Sequence, residues 1–321
     1  MSHDLKLALY RFSVKGSGKR DLLKFEAVID TVISDVSITD KNEKYKKFIE
    51  SYINSFNGEF STNKDNTKSL SPNDNSITFI ASENVIHGMI RGGLSNIAQD
   101  IYNKKNSKTV KNQINKDDIA ALDYYFLLWT PFHRDLGILM VQYYSSATMT
   151  SVLLDNLSLF FRKLNLTLVT YPFVPEEDKK RFIERSLIKR IAFSKKVQTS
   201  DARRQFEPLL SEEDEFEIVV ELRKINKNSN EFIGKIQNLL KSGKKLFNGN
   251  FLAEERLENF EMKIYYEDEQ GRKAHAKLTD TFDILPTIDL PVSLKRKDSD
   301  SPDINLIKEF CLKLLNKIKN E

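Results

Sequence analysis

The apolar residues of this chain follow two spacings, and each spacing predicts one type of secondary structure. Alternating positions and short continuous apolar runs predict strands, whereas positions that recur every three or four residues predict helices. The predicted strands cover 4–14, 77–94, 124–129, 137–144, 166–174, 188–194, 216–222, 260–266 and 273–278. The predicted helices cover 19–34, 43–56, 95–102, 149–164, 176–188, 230–241 and 303–319.

The clearest predicted element is a hairpin formed by 124–129 and 137–144. Its first strand is a continuous apolar run, which is typical of a buried central strand. A second hairpin is predicted over 260–278, with its turn at 268–271. The stretches 57–76 and 103–115 are polar and lack either spacing, so the first is predicted to be a loop and the second a linker.

This mixture of elements predicts an α+β fold with mixed or antiparallel sheets and flanking helices. A chain of 321 residues is too long for one ordinary core, so we expect two domains. The boundary is placed within 199–215, which gives an N-terminal α+β domain, 1–200, and a C-terminal α+β domain, 201–321. The second domain would contain the second hairpin and the terminal helix, whose apolar stripe needs a partner surface, and we expect it to form a homodimer.

The composition excludes several classes of site. A single cysteine, Cys311, excludes a disulfide framework and a zinc site with several thiolates. Four scattered histidines leave little material for a metal centre, so no metal or cofactor is predicted. The longest uncharged run, 136–154, contains many polar residues and does not resemble a membrane span. The N-terminus has no secretory pattern, and we expect a cytoplasmic protein.

Two stretches copy parts of catalytic motifs but lack the residues that those motifs need. The stretch Gly16–Lys19 has Ser13 where a phosphate-binding loop needs glycine, and Arg20 where it needs Ser or Thr. The stretch His133–Leu136 copies a kinase catalytic loop, but Met140 stands where the metal-binding Asn should follow. No catalytic residue is therefore predicted.

The formal net charge is only +4, but the charges are arranged in blocks. The segment 179–204 has ten Lys or Arg and two acids, 207–221 has seven acids and no base, and 223–245 has seven bases and one acid. Such blocks are interaction surfaces more often than determinants of a fold. The alternative is that each block is an ordinary solvated face.

The basic blocks are the strongest functional signal in the sequence. On the predicted helix 176–188, basic residues spaced by four would form a cationic ridge opposite an apolar one. A cationic surface of this kind neutralises phosphates without reading bases. The predicted DNA-binding residues are Arg181, Arg185, Lys189, Lys195, Lys196, Arg203, Arg204, Lys241, Lys244 and Lys245.

The order of elements resembles that of the Rex A-like phage exclusion proteins, which are DNA-binding sensors of lambdoid prophages. The resemblance lies in 7–23 (LALYRFSVKGSGKRDLL), 126–141 (FLLWTPFHRDLGILMV), 168–196, 216–224, 260–278 and the closing helix. The polar stretches 57–76 and 103–115 look like insertions. The resemblance implies a cytoplasmic homodimer that binds DNA without strong sequence preference, senses phage infection and signals to a small multi-span membrane protein.

Two other functions are compatible with the same residues. A metal-dependent nuclease could use Glu217 and Glu221, which share one face of a predicted strand, although Arg223 stands where an acid-x-lysine pattern needs lysine. A protein-interaction module could pair its acidic block with the basic surface of a second subunit. A non-enzymatic DNA-binding sensor in phage exclusion and abortive infection is the main expectation, and these two are its alternatives.

Overall fold

The computed structural model describes residues 4–35, 37–197, 216–241, 260–269, 271, 273–278 and 284–320. They form an α+β protein with antiparallel sheets and flanking helices, which confirms the predicted fold class. The chain divides into two compact units: unit 1 is Met1–Phe173 with Asp289–Glu321, and unit 2 is Val174–Ile288. The boundary predicted within 199–215 lies mostly outside the described residues.

The terminal helix differs from the sequence-based assignment, because it belongs to unit 1 and not to the C-terminal unit. The described helices are α1 Phe25–Ile33, α2 Lys41–Asn54, α3 Thr150–Lys163, α4 Glu176–Arg185, α5 Ser229–Lys241 and α6 Ile304–Ile318. The apolar stripe of α6, which includes Ile307, Cys311 and Leu315, is buried against strands of unit 1. The apolar stripe of α6 is therefore covered by strands of the same chain.

The strands of unit 1 belong to one large antiparallel sheet and one separate hairpin. They are β1 Leu5–Gly16, β2 Leu22–Leu23, β3 Ser61–Thr62, β4 Lys68–Pro72, β5 Thr78–Ile80, β6 Val85–Leu94, β7 Gln99–Asn103, β8 Asn106–Ile114, β9 Leu122–Trp129, β10 Gly137–Tyr144 and β11 Leu166–Phe173. The large sheet has the order β11-β1-β10-β9-β6-β4-β3, whereas β7 pairs only with β8. The predicted hairpin β9–β10 lies at its centre, which confirms the expectation from its continuous apolar run.

Both faces of the large sheet are covered. Phe126 and Leu128 of β9 face the apolar side chains of α2 and α3, including Phe48 and Leu157. Alternate residues of β9 point the other way, toward α6, where the ammonium group of Lys319 lies 5.3 Å from the centre of the Trp129 ring. Burial on both faces explains why this strand is apolar at consecutive positions.

Four predictions in unit 1 were wrong or too long. The predicted loop 57–76 contains β3, β4 and a 3-10 turn, Asp74–Ser76, and the predicted helix 95–102 and linker 103–115 are the hairpin β7–β8. The helix predicted over 19–34 begins only at Phe25, because β2 pairs with β1 before it. The strands of the missed hairpin are polar and exposed, so no core imposed an alternating pattern on them. β4 is largely buried, but Leu70 is its one large aliphatic residue, which is too weak a pattern to predict a strand.

Unit 2 contains one five-stranded antiparallel sheet. Its strands are β12 Leu187–Val197, β13 Phe216–Asn228, β14 Glu261–Glu267, β15 Lys273–Leu278 and β16 Ile284–Pro286, followed by β17 Ile288–Asp289 at the unit boundary. The order within the sheet is β13-β12-β14-β15-β16, and the predicted second hairpin is β14–β15. Helices α4 and α5 pack on one face, where Phe182 and Ile233 contact a cluster that includes Ile191, Phe193 and Ile264.

Helix α4 ends three residues earlier than predicted. The hydroxyl of Ser229 lies 2.8 Å and 2.7 Å from the carbonyl oxygens of Phe182 and Ile183, so it satisfies acceptors of the last turn. From Leu187 onward the backbone pairs with both β13 and β14. The chain therefore becomes a central strand at Leu187, although the spacing of apolar residues predicted that the helix continues to residue 188. No helix in the described part of the chain is long and apolar enough to cross a membrane.

Candidate nucleic-acid interface

The predicted cationic ridge is only partly formed. Arg181 and Arg185 do lie on α4, but each guanidinium is paired with a carboxylate, Arg181 with Asp178 at 2.5 Å and Arg185 with Glu269 at 2.9 Å. Lys189 is not on the helix, which corrects the prediction. It sits at a bulge of β12, where the register shifts between its neighbours, and its ammonium group lies 3.0 Å from Glu267.

The remaining predicted residues are dispersed or lie outside the described chain. Lys195 lies on the same face of β12 as the core residues Ile191 and Phe193. Its ammonium group lies 6.0 Å from the centre of the Phe260 ring. Lys196 is exposed and points to the opposite face of the sheet. Lys241 is the last residue of α5, and its side chain is outside the description. Arg203, Arg204, Lys244 and Lys245 lie outside the described residues. The assignment of all these residues to DNA binding stays a prediction.

The face of the unit 2 sheet opposite α4 and α5 presents most of the charged side chains of its strands. In β14, Met262, Ile264 and Tyr266 are buried among the core residues, so Lys263 and Tyr265 point to this other face. We call it the open face. Its described residues include Leu187, Arg190, Ala192, Ser194, Lys196, Glu217, Val219, Glu221, Arg223, Asn228, Glu261, Lys263, Tyr265, Glu267, Lys273, His275 and Lys277.

A stacked arginine and tyrosine lie at the centre of the open face. Arg190 is in register with Tyr265 on β14 and with Arg223 on β13. The guanidinium carbon of Arg190 lies 3.6 Å from the centre of the Tyr265 ring, which is a cation–π stack. The same guanidinium donates to Glu221 at 3.2 Å, and Arg223 contacts the other oxygen of that carboxylate at 2.5 Å. The two arginines are thus held in a fixed arrangement by one carboxylate.

Ion pairs engage most of the acids on the open face and leave several lysines without one. Glu261 pairs with Lys277 at 2.7 Å, while Glu221 and Glu267 pair with the basic residues named above. Three lysines make no ion pair with any residue in the described ranges: Lys196, Lys263 and Lys273. A lysine without an intramolecular partner can approach an external anion without first giving up a contact.

A recess of about 600 Å³ opens beside the Arg190–Tyr265 stack. Its lining residues are Lys189, Arg190, Tyr265, Tyr266, Glu267, Lys273, Ala274 and His275. The rings of Tyr265 and His275 have centroids 6.2 Å apart, so two aromatic side chains border it. Ammonium and guanidinium groups bind phosphates, and aromatic or guanidinium planes stack with nucleobases. The recess therefore offers both of the contacts that a nucleotide uses.

The geometry of the carboxylates bears on the nuclease alternative. Glu217 and Glu221 do share the open face, as predicted, but both oxygens of Glu221 are engaged by arginines. Among the described residues, no group of three or more His, Cys, Asp or Glu side chains is placed to hold a metal ion. Glu221 is therefore already occupied by two cations of the chain itself.

Sequence reasoning missed the residues that define this face. Arg190, Tyr265 and His275 were not singled out, and neither were Lys263 and Lys273. A usable signal existed, because apolar residues alternate with Lys, Tyr and His in both strands of the second hairpin. Alternation places all residues between the core positions on one face.

No protein-family model, no curated protein and no solved structure matches this chain. The function is therefore argued from the residues of the chain itself.

Proposed function

We propose that the protein is a non-enzymatic DNA-binding protein that holds the phosphate backbone on the open face of unit 2. The observation that carries the proposal is the Arg190–Tyr265 stack, bordered by a recess and by lysines that make no ion pair with other described residues. Lysines supply the charge that a phosphate array requires. The stack supplies a plane on which a sugar or base can lie.

The proposal includes binding without sequence preference. Side chains that read adenine through two hydrogen bonds are Asn and Gln. On the described strands near this face they occur at the end of β13, as Asn226 and Asn228, and the side-chain oxygen of Asn226 already accepts a hydrogen bond from Lys189 at 2.9 Å. Arginine reads guanine with its two outer nitrogens, but the guanidinium groups of Arg190 and Arg223 are directed at Glu221. The remaining cations are lysines, which bind phosphates as point charges.

We further propose that this binding serves phage exclusion, with the protein acting as a cytoplasmic homodimer that signals to a small membrane protein. The support for this role is the resemblance in the order of elements to phage exclusion sensors. The cationic open face is compatible with it, because a sensor of phage DNA has to bind many unrelated sequences.

The binding surface is tested by neutralising two lysines of the open face in the full chain. Lys263→Gln with Lys273→Gln is compared with Lys180→Gln and Lys235→Gln, two exposed lysines on the helices that cover the opposite face. Binding of two unrelated fluorescent duplexes is followed by anisotropy from about 50 to 200 mM salt. Each lost phosphate contact should lower the magnitude of the slope of log K against log salt by roughly 0.9.

The expected result is a shallower slope and weaker binding for the open-face variant, by the same factor on both duplexes, with the control variant unchanged. Wild-type protein that shows no binding at about 50 mM salt would overturn the proposed function. Equal behaviour of the two variants would remove the open face as the DNA-binding surface. A different loss on the two duplexes would contradict binding without sequence preference.

A further inference from the structure

The hairpin β7–β8 forms a two-stranded sheet of its own within unit 1. Every side chain from Gln99 to Gln113 that the structure describes is exposed, including Ile101, Tyr102 and Val110. A two-stranded ribbon with no core beneath it is marginally stable in water. The ribbon therefore adds little to the stability of the fold, and its residues are free to be selected for contacts with a partner.

The ribbon is strongly basic. Between Gln99 and Ile114 the chain has one acid, Asp100, and four lysines: Lys104, Lys105, Lys108 and Lys111. Lys104 and Lys105 form the two-residue turn at the tip. The side-chain oxygen of Asn103 accepts the backbone N–H of Lys105 at 2.9 Å, which stabilises this turn. Two positive charges thus lie at the far end of the hairpin.

Three lysines of the ribbon carry charges that no carboxylate in the described ranges neutralises. Asp100 accepts a hydrogen bond from the side-chain amide of Gln113 on the opposite strand, at 2.9 Å. Lys104, Lys105 and Lys111 make no ion pair with any residue in the described part of the chain. Positive charges that lack an ion-pair partner in the described chain favour a partner with many negative charges.

The shape of the ribbon narrows the choice of polyanion. Two paired strands lie about 5 Å apart, and a major groove about 12 Å wide admits a two-stranded ribbon with its side chains. The register shifts on both sides of Tyr102, and such irregularities increase the right-handed twist of a ribbon. A twisted ribbon can follow a groove, whereas a flat lipid surface offers no matching curvature.

We propose that β7–β8 is a DNA-binding arm that lies in a groove of duplex DNA, with Lys104 and Lys105 on the phosphates. The exposed apolar side chains Ile101 and Val110 would contact sugars and thymine methyl groups. The inference rests on the proposed DNA-binding function and adds to it a second binding element, in unit 1, and a preference for the double-stranded form.

The test uses the full chain with Lys104, Lys105 and Lys111 all changed to Gln, which we call the arm variant. Its control changes three exposed lysines of unit 1 that make no ion pair with described residues: Lys46, Lys64 and Lys163. Anisotropy is measured for a duplex and for a single strand of the same length, across the same salt range. The arm variant should bind the duplex about tenfold or more weakly, with a slope smaller in magnitude by about 3.

The control should match wild type, and the arm variant should lose less affinity for the single strand than for the duplex. A second variant, in which 99–114 is replaced by a short Gly-Ser linker, should show the same loss on the duplex with an unchanged circular dichroism melting temperature. An arm variant that binds the duplex like wild type overturns the inference. So does an equal loss on the single strand, since no groove is then involved.

The outcomes separate the arm from the open face. If the Lys263→Gln, Lys273→Gln variant loses affinity and the arm variant does not, the proposed function stands and the arm is excluded. If only the arm variant loses affinity, the arm stands and the open face is excluded. If wild type binds no DNA but binds vesicles of anionic phospholipid through the arm lysines, the partner is a membrane surface, and the inference is overturned.

Discussion

The guanidinium of Arg190 stacks on the ring of Tyr265 at 3.6 Å, between strands that are far apart in the sequence. An arginine held in this way keeps its charge and loses part of its rotational freedom before any ligand arrives. Because less entropy is lost when a base or sugar packs on it, the stack should increase affinity without adding charge.

The first prediction concerns this stack. Tyr265→Leu should weaken DNA binding by roughly two- to thirtyfold, because a cation–π contact contributes about 0.5–2 kcal/mol to the placement of the arginine. The slope of log K against log salt should stay the same, because no charge is removed. Tyr265→Phe keeps the ring and should bind like wild type. Anisotropy across the salt range measures affinity and slope together.

Two outcomes would contradict this account. Unchanged affinity of the Tyr265→Leu variant would mean that the stack does not position Arg190 for binding. An equal loss in the Phe variant would assign the effect to the hydroxyl group. Circular dichroism of both variants separates these outcomes from a loss of folding.

The parts of the fold that the sequence predicts well are those with a buried face. The hairpin β9–β10 and helix α3 carry continuous or periodic apolar residues because the core of unit 1 surrounds them. The hairpin β7–β8 buries almost nothing, so its sequence has no alternating pattern and predicts a short helix followed by a linker. Periodicity reports burial and only indirectly reports strand structure.

The candidate site was less predictable for a different reason. The interpretation of the basic block 179–204 as a DNA-binding surface followed the density of charge, but charge density does not show which face of an element a residue occupies. The bulge at Lys189 and the end of α4 at Arg185 place neighbouring cations on different faces. The Arg190–Tyr265 pair depends on strand register, which a single sequence does not specify across so long a separation.

The second prediction concerns catalysis. Both oxygens of Glu221 are engaged by Arg190 and Arg223, so this carboxylate should not bind a divalent metal ion strongly. Supercoiled plasmid and linear duplex should therefore survive hours of incubation with Mg²⁺ or Mn²⁺, as followed on agarose gels. Nicking that requires the metal and is abolished by Glu217→Ala with Glu221→Ala would instead support the nuclease alternative.

The third prediction concerns the pH dependence of stability, and it rests on His87 in β6. The side chain is only 6% exposed, and its Nε2 atom lies 3.0 Å from the hydroxyl oxygen of Thr78. Its Nδ1 atom is buried with no hydrogen-bond partner in the described part of the chain. Burial, and secondarily the positive charge of Lys308 on α6, lower the pKa of His87 to about 4.

A lowered pKa in the folded state means that the unfolded chain takes up the proton first as the pH falls. Above about pH 6.5 neither state is protonated at this residue, and it has no effect on stability. Between about pH 6.5 and 4 the free energy of unfolding should fall by up to about 1.4 kcal/mol per pH unit, to a total of at most about 3.5 kcal/mol. His87→Gln can keep the contact with Thr78 but cannot titrate, so its urea midpoint should fall less steeply over this range. The comparison is the urea midpoint of wild type and variant at pH 7.5, 6.0 and 5.0, roughly bracketing the pKa of an unfolded histidine. Equal slopes for the two proteins would show that His87 does not control the acid sensitivity of unit 1.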